Sequence, residues 1–129
     1  MSDNDKVKYW IDLAKEDLDV AKSLYDSGKF LYCGFFCHLS AEKALKSIIE
    51  AKENTPPKIH NLIRLAELAE LFDVMSSEQV DLLSLLNPLQ LEARYPTYKQ
   101  QLQELLTSDY CEDLLKRTEE IISWIEKQL

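Results

Sequence analysis

The sequence predicts an all-α fold, an antiparallel up-and-down bundle of about five helices. Apolar residues recur at steps of three and four along most of the chain, the period of a helix with one face in a core. Two glycines and four prolines in 129 residues are too few for a turn-rich β fold. Two short loops and one long one would join the helices as antiparallel neighbours.

The first helix is expected from about Asp5 to Ser27, with Val7, Trp10, Ala14, Ala21 and Leu24 on one seam and Gly28 as its stop. Asp17 falls on that seam between Ala14 and Ala21, an odd place for an unpaired carboxylate. The second helix, about Lys29 to Glu53, begins with Phe30-Leu31-Tyr32-Cys33-Gly34-Phe35-Phe36-Cys37, which is apolar nearly all round. Such a helix is either central in the bundle or shared between a core and a partner, and a homodimer is the expectation. Thr55-Pro56-Pro57 ends it.

A third helix starts near Asn61 and carries Leu62, Leu65, Ala69 and Phe72. Ser76-x-x-Gln79 has the spacing of a capping box and announces a fourth, which ends before Pro88. The last runs from about Ser108 to Gln128, with Cys111, Leu114, Thr118, Ile121, Ile122 and Ile125 on a broad apolar face. Between these two the chain is expected to be irregular. Helices one, two, three and five should form the bundle, with the fourth and the Arg94 segment across one end. A chain of this length reads as a single domain over residues 1–129.

The net charge of −8 opposes non-specific binding to nucleic acid, so a nucleotide or RNA site must be a small focused patch or be completed by a second subunit. Three cysteines without a CxxC pair fit a reduced cytoplasm, and the polar start lacks the pattern of a cleavable signal. No apolar run approaches the ~20 residues that span a bilayer, so no membrane association is expected.

Ala93-Arg94-Tyr95-Pro96-Thr97-Tyr98-Lys99 is the stretch hardest to explain by packing. Proline pushes the residue before it towards extended backbone. An arginine just before that break can aim its planar fork at a phosphate or a carboxylate, and Tyr95 and Tyr98 supply ring faces and hydroxyls. The structural alternative pairs Arg94 with a buried carboxylate such as Asp17. Lys43 and Lys46, one turn apart on the second helix, either border an anion pocket that Arg94 completes or stand as solvated lysines. His60, at the start of the third helix, is a base or a structural donor. His38, one turn before Glu42, reads as a satisfied core or interface histidine. Two histidines outside any ligand spacing give no metal site, and without a glycine-rich phosphate loop or a Ser–His motif no cofactor is expected.

Several stretches together resemble the HEPN (higher eukaryotes and prokaryotes nucleotide-binding) family. They are Trp10-x3-Ala14-x2-Asp17-Leu18, Cys37-His38-x2-Ala41-Glu42-Lys43-Ala44-Leu45-Lys46, Pro57-x2-His60-Asn61-Leu62, Ala93-Arg94-Tyr95-Pro96-x-Tyr98 and the Thr118 to Ile122 run. The resemblance implies a dimeric helical bundle of bacteria or archaea that accompanies a minimal nucleotidyltransferase in toxin–antitoxin-like pairs. Many members are metal-independent ribonucleases with an Arg-x4-6-His site. Here the matching positions after Arg94 are Lys99, Gln100 and Gln101, and no histidine follows His60. The expectation is therefore a non-catalytic HEPN protein that binds a nucleotide, an RNA or a nucleotidyltransferase partner. Arg94, Tyr95, Tyr98, His60, Lys43 and Lys46 are its candidate site, while Asp17, His38 and Glu42 are structural polar groups. The alternatives are a divergent ribonuclease using Arg94 with His60 or Tyr98, and a purely structural interaction module.

Overall fold

In the computed structural model, which describes residues 3–92 and 95–129, the chain forms six α-helices and, among those residues, no strand. They are α1 (Asp3–Asp26), α2 (Phe30–Ala51), α3 (Leu62–Leu68), α4 (Ser77–Leu86), α5 (Pro96–Leu105) and α6 (Ser108–Glu126), with 3-10 turns at Phe72–Val74 and Asn87–Leu89. Of the long helices, α1 runs antiparallel to both α2 and α6, which also pack on each other, and the short α3 and α4 close on α2.

α1 meets α2 through Ala14 and Ala21, both fully buried, whose small side chains let the helices approach closely. Gly28 takes a left-handed conformation (φ 75°), and the Lys29 and Gly28 amides donate back to the carbonyls of Leu24 and Tyr25. This paired closure satisfies the last carbonyls of α1 and turns the chain into α2 within three residues. From Ser40 to Ile49 every residue of α2 except Lys43 is buried, so this half of the helix is the core's centre. Each large aliphatic side chain buried there contributes about 1.5–3 kcal/mol. The first half differs, since Tyr32 is exposed and Phe35, Phe36 and Leu39 are partly so.

Asn61 caps α3 through the Arg64 amide, and the Ser76–Gln79 capping box is present at α4 as its spacing predicts. Two expectations need correction. α3 ends at Leu68, because Glu70 turns left-handed (φ 59°) and returns its amide to Glu67, so Phe72 belongs to a separate 3-10 turn. The segment expected to be irregular is helical from Pro96. Tyr95 is extended, as a residue before proline should be, but Pro96 sits at the first helical position, where its missing N–H costs nothing. Proline marks a start here, and Leu102 and Leu106 then anchor the helix in the core.

Candidate polar site around Glu42

His38, Glu42 and Lys46 follow one another at four-residue steps, which stacks them on one stripe of α2. All three are buried. A carboxylate at that depth must be paired or neutralised, and Glu42 has three donors. His60 Nδ1 lies 2.9 Å and His38 Nε2 3.3 Å from its Oε1, while Lys46 Nζ lies 3.0 Å from Oε2. Burial pushes the Glu42 carboxyl up, but hydrogen bonds from His38, His60 and Lys46 outweigh it and hold it at about 2. Glu42 is thus a fixed anion.

Its partners reach into three other elements. His38 Nδ1 lies 3.0 Å from the Leu86 carbonyl oxygen, tying α2 to the end of α4. The Lys46 ammonium sits 5.7 Å from the Trp10 ring centroid, and Trp10 Nε1 donates to Glu50 at 3.3 Å, tying α2 to α1. His60 comes from the chain leading into α3. Its ring is 48% exposed, and among the described residues its Nε2 makes no hydrogen bond. Trp10 and Glu50 are not candidates on sequence grounds, although Glu50 continues the four-residue stripe from Lys46.

The other candidates fall elsewhere. Asp17 on the α1 seam accepts from Lys43 of α2, which explains how a carboxylate is tolerated there. Of the two lysines, Lys43 is ion-paired, and Lys46 is both ion-paired and buried. The reason is register: α1 and the lower turns of α2 carry acidic residues opposite both. Tyr95 is 83% exposed, and Tyr98 is half-buried against the core. Arg94 and Ala93 lie outside the described residues. Among the described residues, no hydrogen bond joins Tyr95 to the Glu42 cluster.

Cysteine chemistry has no opening here. Cys33, Cys37 and Cys111 are free and buried, and contact with Cys33 followed by burial pushes the Cys111 thiol up, away from the reactive thiolate. Among the described residues, no group of three or more His, Cys, Asp or Glu side chains is placed to hold a metal ion, and no helix is long and apolar enough to cross a membrane.

The HEPN domain model matches residues 7–128, nearly the whole chain. The chain belongs to the HEPN family. The crystal structure of TT1696 from Thermus thermophilus is similar to this HEPN protein with a TM-score of 0.80, covering 96% of this chain and 98% of that one. At 23% identity the likeness is one of fold. No curated protein matches the chain.

Proposed function

We propose that this HEPN protein is a non-catalytic module that binds a nucleotide, or a nucleotide-bearing minimal nucleotidyltransferase, at the start of α5. One observation carries the reading. Tyr95, exposed and directly after Arg94 in sequence, caps a helix whose first turn has neither a capping side-chain hydrogen bond nor an acidic residue. A helix end without an acidic first turn favours an anion through its dipole. Arg94 supplies the bidentate charge for a phosphate, and the Tyr95 ring supplies a stacking face for a base. Lys43 and Lys46 are paired within the protein and add little free charge.

The test is calorimetric titration with ATP, GTP and a short single-stranded RNA. Arg94→Ala should abolish saturable binding with unchanged helical content, and Tyr95→Ala should weaken it roughly 5- to 150-fold, the worth of one stacked base. Retained binding in Arg94→Ala would refute the site.

The Glu42–His60 contact favours a second reading, the divergent metal-independent ribonuclease. A fixed carboxylate holding Nδ1 orients a half-exposed imidazole, which is how a general base is positioned. Metal-free RNA cleavage lost in both Arg94→Ala and His60→Ala supports that reading, and intact RNA after long incubation with saturating protein disposes of it. Under either reading the open aromatic half of α2 is the surface we assign to a second copy of the chain.

A further inference from the structure

The two ring nitrogens of His60 are held in different states. Nδ1 lies 2.9 Å from Oε1 of Glu42, whose carboxyl is held down at about 2 by its three donors and so is ionised. An ionised carboxylate can only accept a hydrogen bond, so Nδ1 carries the ring proton. In a neutral imidazole the other nitrogen, Nε2, then keeps a bare lone pair. That nitrogen makes no hydrogen bond among the described residues, and the ring is 48% exposed.

We propose that His60 Nε2 accepts a phosphoryl group from a small acyl phosphate. The Nε2 lone pair forms a bond to phosphorus, the P–O bond to the acyl oxygen breaks, and the carboxylate leaves with that electron pair. The ring becomes positive while Nδ1 keeps its proton. Because Nε2 takes the group, none of the Glu42 contacts has to break.

Electrostatics and access both suit this step. The positive ring forms 2.9 Å from a fixed anion, a stabilisation that the neutral ring draws on much less. Lys46 Nζ, 3.0 Å from the other Glu42 oxygen, offsets the carboxylate as seen from a distance. An anionic donor therefore meets a nearly neutral group, although the chain carries a net charge of −8. In-line displacement needs room for the leaving group beyond phosphorus, and a half-open imidazole leaves it. His38, the chain's other histidine, is fully buried with both ring nitrogens against oxygen atoms, so no donor reaches it. This use of the imidazole as a nucleophile is independent of both readings of function given for the chain.

The test is incubation of the intact protein with acetyl phosphate at mildly alkaline pH, where N-phosphoryl groups persist, read by intact mass. We expect a gain of one phosphoryl group, absent in His60→Gln, with nuclear magnetic resonance placing it on Nε2. The rate per histidine should exceed that of the same chain unfolded in urea by at least about tenfold, the cost of losing a carboxylate that orients a histidine. Glu42→Gln should fall to the unfolded rate while keeping its helical circular dichroism. If that variant does not fold, the comparison with urea still decides the matter. No gain in mass, a gain that persists in His60→Gln, a phosphoryl group on Nδ1, or equal rates in the folded and unfolded chain would each overturn the proposal.

Discussion

Glu42 shows burial and hydrogen bonding opposed within one side chain. Its carboxyl moves from an ordinary 4.5 to about 2 because three donors overcome desolvation. A folded-state value below the unfolded one means the stabilisation is complete above about pH 4.5 and is lost as the pH falls towards 2, worth on the order of 3 kcal/mol in total. Glu42→Gln should cost about 3–5 kcal/mol at pH 7 in urea unfolding, since it leaves Lys46 buried without its counter-charge. The gap between wild type and variant should then close as the pH is lowered from 4.5 to 2. A gap constant with pH would mean that the Glu42 carboxyl titrates alike in the folded and unfolded protein. Part of this cluster is readable from the sequence, because the spacing of His38, Glu42 and Lys46 puts them on one stripe whatever the fold. The attachment of His60 is not, since it depends on how the chain between α2 and α3 folds back. The oddity of Asp17 is visible in the sequence, but its answer, Lys43, requires the register of α1 on α2.

Helix ends are where local chemistry and its misreading are both plainest. The capping box at Ser76 and the glycine stop at Gly28 are legible because each is a fixed residue type at a fixed spacing. The ends of α2 and α3 use the same left-handed turn as Gly28, but with Glu53 (φ 61°) and Glu70 (φ 59°) in place of glycine. Nothing in the sequence marks a glutamate as a helix stop, which is why the apolar pattern reads as running on past both ends. Left-handed backbone costs a residue with a Cβ roughly 1–2 kcal/mol, part of which glycine returns through its freer unfolded chain. Glu53→Gly should therefore stabilise the protein by about 0.5–1 kcal/mol, seen as a rise of about 2–5 °C in Tm. A fall in Tm would show that the Glu53 side chain contributes more than its backbone costs. Pro96 teaches the converse lesson: a proline between apolar stretches can open a helix as readily as it breaks one.

Across the whole molecule, the all-round apolar character of α2 resolves into two halves with different fates. From Ser40 to Ile49 the helix is enclosed within its own bundle, apart from Lys43, so half of the pattern is explained without any partner. The first half is not enclosed: Tyr32 is 50% exposed, and Phe35 and Leu39 are only partly covered. Contiguous apolar exposure of this kind marks an interaction surface. A second copy is the economical occupant, because a self-complementary patch needs only one surface and closes at two chains. Phe35→Asp is the decisive change. Phe35 stacks edge-on against Phe36 at 5.7 Å and is only half-buried, so a charge there should disturb association far more than folding. Sedimentation over a hundredfold concentration range should show wild-type protein as a dimer and Phe35→Asp as a monomer with the same helical circular dichroism. Wild-type protein that stays monomeric throughout would leave the aromatic half of α2 to a different protein, and would favour the paired nucleotidyltransferase over a second copy of the chain.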